Sequence, residues 1–133
     1  IIAGPYTATL LGELGAEVLK VERPPLGDEF RVAHGGRGGV GFSVYNRDQR
    51  SLMLDLATDR SRRVFAELVR SSDVVVDNYR TGVLQRLGID HASLSAVSPH
   101  ISSVSISATT SSLLRGSVAI TGSTRPRPAR ARA

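Results

Sequence analysis

The run at residues 74–82 reads Val-Val-Val-Asp-Asn-Tyr-Arg-Thr-Gly. Its three consecutive valines predict a strand that is covered on both faces, as is typical of a parallel sheet. The polar side chains of Asn78, Tyr79 and Arg80 follow at once, and a helix is predicted at residues 82–88. An open α/β sheet usually binds its ligand beyond the carboxyl ends of its strands. This stretch therefore predicts both the fold class and the position of a binding site.

Strands and helices alternate along the first hundred residues. Apolar side chains at helical spacing predict helices at residues 5–16, 58–71, 82–88 and 91–97. Apolar and β-branched runs predict strands at residues 17–21, 51–56, 74–76 and 101–106, and the glycine-rich residues 24–45 predict a long loop. This alternation indicates an α/β fold, in which helices cover a parallel sheet.

The net charge of +5 is confined to the C-terminal part of the chain. Residues 1–90 carry 12 basic and 12 acidic side chains, whereas residues 91–133 carry 5 arginines and no Asp or Glu. The basic excess is therefore weak support for a nucleic-acid partner, which we do not expect. No apolar run reaches the ~18 residues of a membrane span. The absence of cysteine excludes disulfides and thiolate metal sites.

The composition changes at about residue 108. Residues 124–133 are an Arg/Pro/Ala run, which buries too little apolar surface to order itself. We therefore expect a folded domain at residues 1–107 and a disordered basic tail at residues 108–133. Arginine outnumbers lysine 16 to 1, which is typical of a GC-rich coding sequence. One hypothesis is that the tail is a frameshift product, and a natural basic tail is the alternative. Translating the other reading frames distinguishes the two.

Arg23 is the first candidate binding residue. It follows the predicted strand at residues 17–21, so it lies at the edge where open α/β sheets bind ligands. The fixed charge and forked donors of a guanidinium suit phosphate. The structural alternative is an ion pair with Glu22 or an interaction with a helix end.

The second candidate group follows the strand at residues 74–76. Asn78 suits an adenine edge or a ribose, Tyr79 can stack on a base, and Arg80 and Arg86 can reach phosphates. The structural alternative is a surface turn followed by one solvated arginine on a helix.

Other patterns point to no catalytic or metal site. His34, His91 and His100 lack the spacing of metal ligands, and no pair of carboxylates is marked out as an acid–base couple. The serines lack a nucleophile-elbow pattern. The glycine-rich segment at residues 35–39 lacks the Gly-Lys-Ser/Thr ending of a phosphate-binding Walker loop.

Five blocks over roughly residues 1–107 resemble the CoA-transferase family III, the CaiB/BaiF type that includes formyl-CoA transferases. Gly4-Pro5 opens the first helix, and residues 14–24 are similar to the family's LGAdVikvErP segment. The remaining blocks are Gly27-Asp28 with Arg31 (GDxxR), residues 46–51 with 54–56 (NrnKRSlxLDL), and residues 73–82 with 86–88 (DVvvENfrpG).

The resemblance implies a partial Rossmann-like sheet that binds coenzyme A as part of an acyl-CoA substrate. Arg23 would contact the CoA nucleotide, and Ile2 and Ala3 match a further contact position. By the same resemblance, the other CoA-binding residues are Leu54, Asp55 and Leu56, which would line the site, Asn78, Tyr79 and Arg80 at the adenosine, and Arg86 at a phosphate. No metal is implied.

The family moves CoA between carboxylic acids, using an aspartate that attacks the thioester and passes through a mixed anhydride. Residues 108–133 contain no counterpart of that aspartate. We therefore expect an N-terminal fragment with no catalytic residue and no activity of its own. The resemblance also implies a cytoplasmic homodimer for the intact protein. The alternatives are an α-methylacyl-CoA racemase-like fragment, which Asn78 and Asn46-Arg47 disfavour, and a non-enzymatic remnant.

Overall fold

The computed structural model describes residues 2–33, 39–106 and 118–122. Helices and strands alternate through most of these ranges. The helices are α1 (Ala3–Glu13), α2 (Phe30–Ala33), α3 (Val40–Tyr45), α4 (Asp59–Arg70), α5 (Val83–Leu87) and α6 (His91–Val97). The strands are β1 (Glu17–Glu22), β2 (Gln49–Met53), β3 (Val74–Asp77), β4 (Ser102–Ser105) and β5 (Val118–Gly122). None of the described helices is both long enough and apolar enough to cross a membrane.

The five strands form one sheet in the order β2-β1-β5-β3-β4. β1 pairs with β2 in parallel, and β3 pairs with β4 in parallel. β5 lies between these two pairs and runs antiparallel to both β1 and β3. The first four strands therefore share one direction, and their carboxyl ends meet at one edge of the sheet.

The strand β5 lies within the predicted tail at residues 108–133, of which the structure describes residues 118–122. Residues 118–122 read Val-Ala-Ile-Thr-Gly, a short apolar and β-branched run, and β1 and β3 both offer their backbone edges to it. Residues 107–117 and 123–133 lie outside the described residues. The α/β class is confirmed, although the sheet is mixed rather than wholly parallel.

The main core lies on one face of the sheet, beneath α4, α5 and α6. Phe65 and Val69 of α4 are 1% and 0% exposed. They belong to a single buried cluster with residues of strands, helices and connecting segments, namely Val21, Leu56, Val75, Ile89, Leu94 and Ile101. The sequence of α4 explains its place, because Phe65, Leu68 and Val69 share one face and the Thr58 hydroxyl accepts the Ser61 N–H as an N-cap.

The opposite face of the sheet is covered by α1 and α3. Ala8 of α1 packs against Val18 of β1, and both are buried. The Tyr45 ring of α3 makes an edge contact with Tyr6, with ring centroids 5.7 Å apart. Along β1, Val18 is followed on this face by Lys20 and Glu22, so the covered face becomes polar toward the carboxyl end.

Residues 24–45 contain more regular structure than the predicted long loop. The short helices α2 and α3 lie within this range. Phe30 and Phe42 anchor them, since both side chains are buried. The other predicted helices and strands are present, with ends that differ by no more than three residues, as is usual for element boundaries.

Candidate functional site

Three strand ends bring candidate residues to one edge of the sheet. Arg23 follows β1, Leu54 follows β2 and Asn78 follows β3. Val21 and Asp77 both pair with Val118 of β5, one on each side. Two strand spacings separate β1 from β3, so their ends lie about 10 Å apart. The carboxyl ends of parallel strands are the position at which open α/β sheets bind nucleotides.

The positive charge of Arg23, which follows β1, acts on Tyr79, which follows β3. The Arg23 side chain is exposed, and no ion pair joins it to another described residue. Burial, together with the Asp77 charge, raises the pKa of the Tyr79 hydroxyl, and the positive charge of Arg23 opposes that rise. The Tyr79 ring packs partly against the main core. The two residues that sequence patterns placed beyond β1 and β3 thus follow strand ends at the same edge of the sheet.

Asn78 lies against the first turn of α1. A Cβ atom added to Gly4 would be 3.2 Å from Cβ and Cγ of Asn78, so glycine allows the helix to approach the strand end closely. Ile2 and Ala3 precede Gly4 at the start of α1 and therefore belong to the same region. The positive end of the helix dipole and Asn78 are together at the edge between β1 and β3.

Asp77 holds the turn that carries Asn78 and Tyr79. One carboxylate oxygen accepts the Tyr79 N–H at 3.0 Å, and the other accepts the Ser105 hydroxyl. The Ile106 N–H donates to the Asp77 carbonyl at 2.8 Å. Asp77 is only 2% exposed, and its buried hydrogen bonds hold the backbone from which Asn78 and Tyr79 follow. Sequence reasoning assigned no role to this aspartate.

The three predicted site residues after β2, Leu54, Asp55 and Leu56, have different environments. The Leu54 N–H donates to the Glu22 carbonyl at 2.9 Å, which places Leu54 directly beside Arg23. Asp55 forms the turn into α4, since its carboxylate accepts the Ala57 N–H. Leu56 is 6% exposed and belongs to the main core. Leu54 is therefore the member of this trio nearest to Arg23 along the strand edge.

Arg80 and Arg86 lie on the exposed side of the turn into α5. The Val83 N–H donates to the Arg80 carbonyl, and the Arg86 N–H donates to the Gly82 carbonyl. Gly82 has a φ of 82°, a conformation that favours glycine at this turn. Both arginine side chains are exposed, Arg80 in the turn and Arg86 on α5. The segment that follows β3 therefore carries two exposed positive charges.

A buried polar network lies directly behind Arg23, on the face covered by α3. The Glu22 carboxylate accepts four hydrogen bonds, two of which come from the Arg31 guanidinium at 2.6 and 2.7 Å. The Asp28 N–H and the Ser51 hydroxyl donate the others, at 2.7 and 2.6 Å. The Arg31 guanidinium also lies over the Phe42 ring, 3.9 Å from its centroid. Glu22 is consequently satisfied although it is 2% exposed.

Lys20 lies two residues before Glu22 on the same face of β1 and forms a second buried polar cluster. Its ammonium group donates to Asp28 and to Asn46, and its side chain is 2% exposed. Burial lowers the pKa of Lys20, and the charge of Asp28 opposes that change. The Asn46 side-chain amide donates in turn to the Phe42 carbonyl at 2.9 Å. Together these contacts join β1 to residue 28 and to α3.

Acid should weaken the fold through Glu22. Burial alone would raise its pKa, but hydrogen bonds from Arg31, Ser51 and the Asp28 N–H lower it from 4.5 to about 2. A depressed folded-state pKa stabilises the fold above the unfolded value, and this contribution is lost as the pH falls from about 4.5 toward 2. We expect Glu22→Gln to flatten the pH dependence of urea unfolding in that interval.

The matched control for this pH experiment is Glu67→Gln. Glu67 pairs with Arg70 on the exposed surface of α4, and exposed pairs contribute little. The control should keep the wild-type slope between pH 2 and pH 4.5. Equal slopes for Glu22→Gln and the wild type would contradict the assignment.

Sequence reasoning missed the network because its members are separated in the chain. Glu22 was considered as a partner for Arg23, whereas its partner is Arg31. One signal in the sequence pointed to this network. Several positions in the family-like blocks had no role in the predicted binding site, namely Gly27-Asp28, Arg31 and residues 46–51. Among the described residues, no group of three His, Cys, Asp or Glu side chains is placed to hold a metal ion.

Comparison with known proteins agrees with this geometry. The family model described as CoA-transferase family III matches residues 1–112. An acetyl-CoA:oxalate CoA-transferase of Acetobacter aceti is 36% identical over 103 residues, which cover 76% of this chain and 26% of that protein. A succinyl-CoA:mesaconate CoA-transferase of Haloarcula hispanica is 40% identical over 108 residues, covering 76% and 27% respectively.

The fold comparison gives the same result. The crystal structure of a CAIB/BAIF family protein from Brucella suis superposes with a TM-score of 0.74 at 37% identity, over 79% of this chain and 29% of that one. The chain spans about a quarter of the length of the curated relatives that it matches. With a family model that matches most of its residues, and with strand ends that carry the family's motif residues, this chain belongs to the CoA-transferase family III.

Proposed function

We propose that this chain binds the CoA part of an acyl-CoA at the edge between β1 and β3. The observation that carries the proposal is the meeting of Arg23 and the Asn78–Arg80 turn at the carboxyl ends of two parallel strands. Its membership of a family of CoA-transferases supports the choice of ligand. The electrostatic interaction between Arg23 and Tyr79 supports a shared site for both strand ends.

The chemistry of the edge fits a phosphorylated adenosine. CoA carries a 3′-phosphate and a diphosphate, which need fixed positive charge and forked donors. Arg23 and Arg80 are exposed shortly after the ends of β1 and β3, and Arg86 is exposed on α5, the helix that follows. The half-buried Tyr79 offers an aromatic face, and Asn78 offers both a donor and an acceptor. We assign phosphate contacts to the arginines and adenosine contacts to Asn78 and Tyr79.

Replacing Arg23 with alanine should weaken CoA binding by about tenfold or more, because a charge-assisted bond to phosphate would be lost. Isothermal titration of the purified 133-residue chain with CoA measures this change. Arg80→Ala is expected to weaken binding in the same direction. Arg63→Ala is the matched control, since Arg63 is an exposed arginine on α4 and its removal changes the net charge equally.

Two results would contradict the proposed site. One is a wild-type chain that is folded by circular dichroism but shows no saturable heat with CoA. The other is an equal loss of affinity in Arg23→Ala and Arg63→Ala, which would show a general effect of charge. A loss confined to Arg23→Ala and Arg80→Ala, which decreases as salt rises, is the expected pattern.

For the intact protein we propose transfer of CoA between carboxylic acids, the activity that the names of the similar proteins share. For these 133 residues alone we propose binding without transfer, because residues 108–133 contain no Asp or Glu and therefore no counterpart of the nucleophilic aspartate that the family resemblance implies. Formation of a new acyl-CoA from a donor and a free carboxylate by the purified chain would refute this part. Homodimer formation and the absence of a nucleic-acid partner stay predictions.

A further inference from the structure

Glu22 and Arg23 are adjacent in the chain but their side chains have opposite environments. Glu22 is 2% exposed beneath α3, whereas Arg23 is exposed at the strand end. The carboxylate of Glu22 is engaged by four donors and has no bond to Arg23. The residue that precedes Arg23 is thus held in place by hydrogen bonds on the covered face of the sheet.

Hydrogen bonds hold both ends of the segment from Arg23 to Asp28. The Gly27 N–H donates to the Arg23 carbonyl at 2.9 Å, and the Asp28 N–H donates to Glu22 Oε2 at 2.7 Å. Gly27 has a φ of 81°, and a Cβ atom at this position would lie 2.5 Å from Glu22 Oε2. The turn therefore wraps closely around the Glu22 carboxylate, which leaves no room for a side chain at Gly27.

Arg31 fixes the carboxylate in turn. Its guanidinium makes a two-bond fork to Glu22 and lies over the Phe42 ring. A fork of this kind sets orientation as well as distance. A buried ion pair is often no more stabilising than apolar residues of the same volume. What the pair supplies that apolar residues do not is a defined geometry for the turn.

We propose that Glu22 and Arg31 are positioning residues, which hold Arg23 where its guanidinium meets a CoA phosphate. This inference rests on the proposed function and deepens it. Neither residue contacts the ligand in this account, because both act through the backbone of residues 23–28. Without the Glu22 carboxylate, Arg23 is still present, but the turn that orients its guanidinium is no longer held.

A double-mutant cycle tests this action through Arg23. Glu22→Gln is expected to weaken CoA binding by about tenfold in the Arg23 background and by less than about twofold in the Arg23→Ala background. Arg31→Lys, which keeps the charge but loses the fork, should show the same pattern and serves if Glu22→Gln does not fold. Glu17→Gln is the matched control, because Glu17 is an exposed residue of β1 paired with Arg50. It should leave the affinity for CoA unchanged.

Equal losses of affinity in both backgrounds would overturn the proposal, since they would show a structural role that does not pass through Arg23. Amide hydrogen exchange provides a readout without CoA. The Gly27 and Asp28 N–H groups should lose protection in Glu22→Gln while those of α4 keep theirs, and unchanged protection would overturn the positioning role. If the wild-type chain does not bind CoA, the proposed function fails, and hydrogen exchange still decides whether Glu22 fixes the turn.

Discussion

An Ile120→Pro variant of this chain is expected to lose its cooperative fold. Ile120 is the middle residue of β5, paired with Leu19 of β1 on one side and with Val75 of β3 on the other. Proline cannot donate to a ladder and is confined to sheet edges and bulges. Among the described strands, β5 alone joins β1 and β2 to β3 and β4. Its loss would leave two separate two-stranded units, which are marginal by themselves.

The size of this effect follows from the number of paired positions. β5 pairs with five residues of β1 and four of β3. A buried backbone group without a partner costs about 1–3 kcal/mol, against a typical total stability of about 5–15 kcal/mol. Urea unfolding followed by far-ultraviolet circular dichroism should show no cooperative transition for Ile120→Pro.

Ile120→Val is the control for the proline variant, since valine is β-branched and retains the backbone N–H. It should unfold cooperatively with a midpoint close to that of the wild type. A proline variant with an unchanged midpoint and slope would show that β5 is dispensable for the fold.

Phe65→Ala is expected to destabilise the chain by about 3–5 kcal/mol, a large share of the stability of a small domain. The Phe65 ring is 1% exposed and packs in the cluster that joins α4 to the sheet. Alanine would remove the buried ring and leave a cavity that the surrounding side chains fill only in part. The free energy of unfolding, extrapolated from urea titrations, measures the change.

Val64 provides the control on the same helix. It precedes Phe65 but is 42% exposed, so Val64→Ala should change the free energy of unfolding by less than about 1 kcal/mol. Similar losses for the two variants would contradict this prediction, because they would show that the loss at Phe65 does not come from burial of its ring.

The sequence was sufficient to place the strand ends that form the proposed site, because local patterns mark each of them. Three valines at β3 and the polar residues after them identify a buried strand and its end without any long-range information. Arg23 after β1 follows the same logic. The family match and the parallel register of the strands agree with these predictions, whereas the individual ligand contacts remain proposals.

The strand β5 and the network around Glu22 were not predictable in the same way. The pairing of residues 118–122 with β1 and β3 depends on contacts far along the chain, which no local period encodes. Lys20 and Glu22 are charged residues in a short strand, and such residues are rarely buried unless they are paired. Arg31 lies nine positions after Glu22, and no helical or strand spacing relates the two.

The central position of β5 also determines how this sheet is assembled. Val18 pairs with Thr121, so the centre of the sheet closes only after a segment about one hundred residues away has returned to it. Contacts of such high sequence separation slow folding. Until then β1 and β3 each present an open edge, and open edges pair readily with other chains. Refolding of this chain is therefore a competition between closure by its own β5 and pairing with its neighbours, and its yield should fall as the protein concentration rises.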